Sequence, residues 1–403
     1  MGQFDGIRPY DDVEVSAVLQ RLLRDRELLQ TLAGYRFPRL SQWLPGVTRG
    51  LVSSALRREL RGVDTVDDLQ HRLEPWLDKV IERSALTVTY SGLENLSKTQ
   101  PHLFLANHRD IAMDPAFVNY ALYHGGHPTP RIAIGDNLLQ RGFVSDLMRL
   151  NKCFIVHRSV AGRREKLAVY QTLSAYISHS IAGGHSIWIA QAEGRAKDGR
   201  DRTDTAIIKM LCMSRKDEAF AEVVRSLNIV PVSIAYEWDP CDQMKARELE
   251  QRERTGSYSK QPGEDDASIA KGLTGYKGRV HIAFGSPLTG DYADAKAVAA
   301  ETDRQILGLY RLYPSNYLAV EQLPEAQSQV DIAGWRDQFD PATLAEEQQR
   351  FDQRLAACPA EQRQWWLRQY ANPVISRQGV SHQRGGDTQQ QGETQAHTTN
   401  QHE

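Results

Sequence analysis

The apolar positions along the chain change period twice. From Val13 to Leu32 they recur at helical spacing (Val13, Val18, Leu22, Leu28, Leu29, Leu32), and Leu56, Leu60, Leu69, Leu73 and Val80 extend the pattern. Residues 1–84 are therefore expected to be helical. From about Ala85 short apolar or β-branched runs take over: 86–92, 102–107, 131–135, 152–157, 186–190, 228–237 and 279–285. Most are separated by helix-like stretches. The clearest of these carries Leu167, Tyr170, Leu173, Ile177 and Ile181 on one face and stops at Gly183-Gly184, a suitable C-terminal cap. Strands alternating with helices predict an α/β fold with a mixed, largely parallel central sheet flanked by helices. Residues 239–277 are polar, charged and Gly-punctuated, and read as a partly helical excursion between two strands. From Asp294 the helical pattern returns, with Trp335, Phe339, Leu344, Leu355, Trp365 and Trp366 as packing positions.

These shifts divide the chain into an N-terminal helical segment (1–84), an α/β domain (85–293), a C-terminal helical extension (294–375) and a tail (376–403). The tail contains no Leu, Ile, Phe, Met, Trp or Tyr. It cannot bury enough apolar area to offset an ordering cost of about 1–2 kcal/mol per residue, so disorder is expected there.

Composition narrows the function classes. The chain has 403 residues, 40% hydrophobic and 25% charged, which places it among globular proteins. No apolar run approaches the roughly 20 residues that span a bilayer. The first residues carry acids where an export signal needs a basic and then an apolar stretch, so a cytoplasmic location is expected. Lys+Arg 49 against Asp+Glu 51 supplies no bulk positive field for nucleic acid. Four scattered cysteines with no C-x-x-C pair fit a reducing compartment and argue against a thiolate metal site. One local asymmetry stands out. Between Arg21 and Arg61 nine arginines face only Asp25, Glu27 and Glu59, in a stretch that also holds Tyr35, Phe37 and Trp43. Such a segment is either a solvated helical face or a surface for anionic membrane.

The candidate chemistry lies where the apolar runs end. The first of these ends at Asn107, and His108, Asp110 and Asp114 follow before Pro115, which suits the first turn of a helix. Ligands of open α/β sheets bind at the C-terminal ends of strands. A histidine beside a carboxylate is the minimal general-base unit, the carboxylate fixing the tautomer and stabilising the imidazolium. A second run ends at Glu193-Gly194-Arg195; the glycine permits close backbone approach, and the guanidinium matches phosphate oxygens in a two-point fork. A third places Phe154 in an apolar run and Arg158 just past it, and a fourth, around Pro231, reads as core. His124, His127, His157, Lys209 and Trp188 read as loop, strand-end, helix-face and packing residues.

Taken in order, the Asn-His…Asp block, the Phe-x-x-x-Arg run, Glu-Gly-Arg and the Val-Pro-Val run resemble the glycerol-3-phosphate and lysophosphatidate acyltransferase family. The resemblance covers roughly residues 85 to 290. It implies that His108 deprotonates a hydroxyl of a glycerol-phosphate acceptor, which then attacks an acyl thioester. Asp114, with Asp110 as the alternative, would orient His108. Phe154, Arg158, Glu193, Gly194 and Arg195 would bind the acceptor, and Pro231 would lie on the donor side. It further implies acyl-CoA or acyl carrier protein as co-substrate, no metal or other cofactor, and work at the inner membrane face. Two departures bear on this reading. His108 and Asp114 are separated by five residues where the family has four, and Gln191-Ala192 replaces the usual Phe/Tyr-Pro before Glu193. The competing readings are transfer to an amine or other lipid acceptor, thioester hydrolysis, and a non-catalytic lipid-binding protein.

Overall fold

The computed structural model describes residues 2–160 and 162–379. In chain order the helices are α1 (Asp12–Leu22), α2 (Arg26–Arg36), α3 (Leu40–Trp43), α4 (Pro45–Glu59), α5 (Val66–Ser84), α6 (Met113–His124), α7 (Gly142–Leu150), α8 (Arg163–Ala182), α9 (Thr205–Leu211), α10 (Phe220–Ser226), α11 (Asp242–Thr255), α12 (Glu264–Thr274), α13 (Ala295–Leu309), α14 (Pro314–Gln322), α15 (Pro324–Gln327), α16 (Pro341–Ala357) and α17 (363–379). The strands are β1 (Thr87–Ser91), β2 (Leu103–Ala106), β3 (Arg131–Gly135), β4 (Cys153–Val156), β5 (Ile187–Ala190), β6 (Ile229–Tyr236) and β7 (Arg279–Phe284). Each strand falls on one of the seven apolar runs. The pairs β1–β7, β2–β6, β3–β4 and β3–β5 are parallel and β6–β7 is antiparallel, which is the expected mixed, largely parallel class.

The chain forms two compact units, one of Met1–Ile81 and Pro130–Trp188, the other of Glu82–Thr129 and Ile189–Glu403. In the first unit β3 pairs with β4 on one side and with the start of β5 on the other. Val15, Val18, Leu19 and Leu22 of α1 pack with Leu69 of α5 and with Phe143 and Leu150 of α7. Polar contacts tie the same elements: Tyr10 donates to Asp146 at 2.7 Å, Arg21 pairs with Asp146 at 2.7 Å, and Ile155 N–H reaches Ile7 O at 2.9 Å. The N-terminal helices thus share a core with the element that precedes β4.

In the second unit the strand order is β1-β7-β6-β2, and just past β5 Gln191 donates to Ala106 O at 2.8 Å. All four residues of β2 and all eight of β6 are buried, the condition under which a strand reads as an unbroken apolar run. Pro231 is buried in β6, one residue before the β6–β7 ladder opens at Val232↔Phe284, where a missing N–H is tolerated. The C-terminal helices form a separate aromatic cluster of Trp238, Phe351, Trp366 and Tyr370, with Tyr317 stacked on Trp335 at 5.0 Å.

The partly helical excursion is found where it was expected, and the start of the tail is not. The excursion after β6 folds into α11 and α12. Its inward side chains include Asp242, Lys245 and Glu248, so apolar periodicity could not reveal the buried face. The expected disordered tail begins too early at Ser376, because 376–379 continue α17. There Arg377 donates to Tyr310 O at 3.0 Å and Gln378 to Asp331 O at 2.6 Å, polar anchors that a count of apolar residues misses. The rest of that tail, 380–403, lies outside the described residues.

Candidate active site

The site is built at the end of β2. Asn107 fixes the strand terminus to β6: its carboxamide oxygen accepts from Ile234 N–H at 2.7 Å, and its amide donates to Ile234 O at 3.1 Å and to Asp201 at 3.2 Å. His108 follows, with Nδ1 at 2.8 Å from Asp114 Oδ2. Its side chain keeps 16% exposure while Asp114 is fully buried. The turn through Arg109–Ala112 absorbs the additional residue, because Asp114 Oδ2 also accepts the backbone N–H of Arg109 at 2.6 Å and of Asp110 at 2.9 Å. Its second oxygen accepts from Tyr236 Oη at 2.7 Å. Four donors on one carboxylate fix its plane.

Asp110 points elsewhere. Its Oδ1 takes the N–H groups of Ala112 and Met113, the turn that leads into α6. Burial, and then the neighbouring Asp114 charge, raise its carboxyl above the usual range. Gly272 of α12 lies against it; a Cβ there would sit 2.3 Å from Asp110 Oδ2, so only glycine lets this helix approach so closely. Of the two carboxylates, Asp114 is the one in hydrogen-bond contact with His108.

The Glu193–Arg195 loop meets this turn through the backbone, Ala196 N–H donating to His108 O at 2.8 Å. Gly194 adopts φ +82°, a conformation that suits glycine. Glu193 is exposed, and Arg195 is half-buried with Nη1 at 2.7 Å from Ser268 Oγ of α12. Gln191, which stands where the family has an aromatic residue, is buried and accepts from Thr203 Oγ1 at 3.2 Å. Its side chain thus anchors the loop's return.

Several contributors were not visible as site residues in the sequence. Arg109 is buried, bonded to Asp201 at 2.6 Å and Gly199 O at 3.2 Å, with its guanidinium over the Tyr310 ring at 5.3 Å. Lys245 of α11, also buried, donates to Arg109 O at 2.7 Å and to Asp239. Lys277 is buried too, and burial lowers its ammonium to about 8 despite the attraction of Asp110. Gly199 (φ +80°) packs flat on α17, where a Cβ would lie 2.3 Å from Gln369 O, and Asn372 donates to Asp198 O at 2.6 Å. These partners lie far along the chain; only the residue types, buried charges in an otherwise apolar unit, hint at them.

Phe154 and Arg158 belong to the first unit. Phe154 has 0% exposure and packs on Tyr176 at 5.1 Å, so this ring supports β4 and presents nothing to a ligand. Arg158 is exposed, and its backbone N–H donates to Asp136 at 3.2 Å, beside His157 Nδ1 at 3.3 Å from the same carboxylate. The Asp136 carboxyl is lowered; its burial works against this, and the Arg158 N–H and His157 outweigh it.

Residues 87–236 match the family model described as Acyltransferase. The chain is 29% identical over 226 residues to a glycerol-3-phosphate acyltransferase of Pseudoalteromonas translucida, covering 54% of this chain and 25% of that protein. It is 25% identical over 251 residues to the dihydroxyacetone phosphate acyltransferase of Homo sapiens, 58% of this chain and 35% of that one. With the glycerol-3-phosphate acyltransferase of Xanthomonas axonopodis pv. citri it shares 32% identity over 127 residues, 31% of this chain and 14% of the other. The aligned part thus spans well under half the length of these curated relatives. The stretch that matches the Acyltransferase family model, residues 87–236, encloses the His108–Asp114 pair and the Glu193–Arg195 loop.

Proposed function

We propose that this protein is an O-acyltransferase of glycerolipid synthesis that moves a fatty acyl group from acyl-CoA or acyl carrier protein to a hydroxyl of glycerol 3-phosphate or 1-acylglycerol 3-phosphate. The observation that carries the reading is the 2.8 Å contact of His108 Nδ1 with a buried, four-donor Asp114, with the Arg195 loop bonded to the backbone of the same histidine. Asp114 holds the imidazole so that Nε2 takes the acceptor's hydroxyl proton. The oxygen forms a bond to the thioester carbonyl carbon, the C–S bond breaks, and the imidazolium returns the proton to the departing thiolate. Arg195 holds the acceptor phosphate. The chemistry calls on no metal or other cofactor, because a thiolate leaves readily. The test is thiol release from both donors against a panel of acceptors. Release that depends on glycerol 3-phosphate or 1-acylglycerol 3-phosphate supports the reading. Release without any acceptor establishes hydrolysis, and release only with an amine establishes another acceptor class.

The reaction is placed at an anionic membrane surface, cytoplasmic in aspect. No described helix is long and apolar enough to cross a membrane. The support for surface attachment comes from α2–α4. Tyr35 is 85% and Trp43 83% exposed, Leu40, Leu44, Val47 and Leu51 are also exposed, and residues 28–58 hold five arginines without a lysine or an acid. Exposed apolar groups interspersed along the chain with arginines match the interface of an anionic bilayer. Trp43→Ala combined with Leu44→Ser is expected to cut co-sedimentation with phosphatidylglycerol-containing vesicles roughly tenfold, on the scale of losing the apolar anchor. Equal recovery of both proteins would sink the membrane assignment, and vesicle binding with no thiol release under any condition would favour the non-catalytic lipid-binding class.

A further inference from the structure

We infer that Ser268, on a helix beyond the acyltransferase-family match, is a positioning residue for the acceptor's phosphate, because its hydroxyl fixes the direction of the Arg195 guanidinium. The inference rests on the proposed acceptor role of Arg195 and deepens it. Ser268 is 1% exposed, and its Oγ accepts from Arg195 Nη1 at 2.7 Å. A guanidinium has five N–H donors in one plane; tying one end leaves the others aimed in a set direction at an anion. Among the described residues Ser268 is the hydrogen-bond partner of this side chain.

The serine is itself held. Cys241 Sγ lies 3.4 Å from its hydroxyl and 3.5 Å from its backbone oxygen, and Gly272, one turn further on, seats α12 directly on Asp110. A second clamp runs parallel to the first: Lys197 Nζ bonds Glu248 of α11 at 2.6 Å, with Glu248 buried. Two consecutive helices thus grip the loop at residues 195 and 197, while Ala196 grips His108. The excursion that follows β6 therefore fixes the anion-binding arm relative to the base. An arginine on an exposed loop loses much of its binding energy to rotamer entropy, and a buried acceptor at one end of the fork removes part of that cost.

The experiment measures glycerol 3-phosphate binding by calorimetry, and acceptor KM and kcat by thiol release, in the full chain and in Ser268→Ala, Ser268→Thr and Arg195→Ala. Ser268→Ala is expected to raise Kd and KM about tenfold, the scale of one charge-assisted hydrogen bond, with kcat within about twofold. Ser268→Thr restores both. If Ser268→Ala fails to fold, Ser268→Cys, which keeps the volume and weakens the acceptor, is expected to give the same split. Wild-type Kd and KM in Ser268→Ala, with both raised in Arg195→Ala, overturn the inference and leave the acceptor reading standing. Unchanged values in Arg195→Ala overturn both, and a wild-type chain that binds neither glycerol 3-phosphate nor 1-acylglycerol 3-phosphate overturns the proposed function itself.

Discussion

His108→Ala is expected to lower acyl transfer about 1,000-fold while leaving the fold in place. The loss reflects removal of the group that takes the hydroxyl proton, a contribution that typically spans about 100- to 10,000-fold. The fold survives because the change does not strand Asp114. That carboxylate keeps the N–H groups of Arg109 and Asp110 and the Tyr236 hydroxyl, so no buried charge is left without donors. His108 is also partly exposed, and its removal opens no sealed cavity. Circular dichroism and urea unfolding are expected to match wild type within about 1 kcal/mol. A purified variant that retains more than a tenth of the wild-type turnover would remove His108 from the mechanism.

Arg109→Ala is expected to do the opposite, harming stability first. The guanidinium and Asp201 are both buried and bonded at 2.6 Å. Deleting the cation leaves the buried carboxylate without a counter-charge, held among the described residues by the Asn107 amide alone, which typically costs about 3–5 kcal/mol. Gly199 O loses its donor at the same time, and Tyr310 loses the cation over its ring. The double change Arg109→Met with Asp201→Asn is expected to recover much of that loss, since replacing both partners by neutral groups removes the desolvation penalty. Urea unfolding of the three proteins checks this; equal stability of Arg109→Ala and wild type would show that the pair is not buried in solution.

The contrast between these two neighbours explains what could be read in advance. His108 announces itself by residue type and by its place at a strand end. All seven strands were legible because β2 and β6 are buried on both faces and the others carry short β-branched runs. Asp114 was favoured over Asp110 by its place before Pro115, whereas the N–H groups of Arg109 and Asp110 that hold it carry no sequence signature. Arg109, Lys245 and Asp201 carry no such signal, since a pattern of residue types does not reveal a partner about 90 to 140 positions away. Phe154, which the resemblance gives to the acceptor site, is fully buried against Tyr176. The helices after β6 were the hardest to see. Their inner faces hold Asp242, Lys245 and Glu248, each paired with a charge or a backbone group across the unit.

The account's central claim is that His108 and the Arg195 loop together deliver a phosphate-bearing hydroxyl to an acyl thioester. The measurement that tests it most directly is mass-spectrometric identification of the product formed by the purified protein from an acyl thioester and isotopically labelled glycerol 3-phosphate. The account predicts a monoacylated glycerol phosphate carrying the label, formed in step with free thiol and missing from the His108→Ala reaction. Free fatty acid in step with thiol, and no labelled ester, would contradict it.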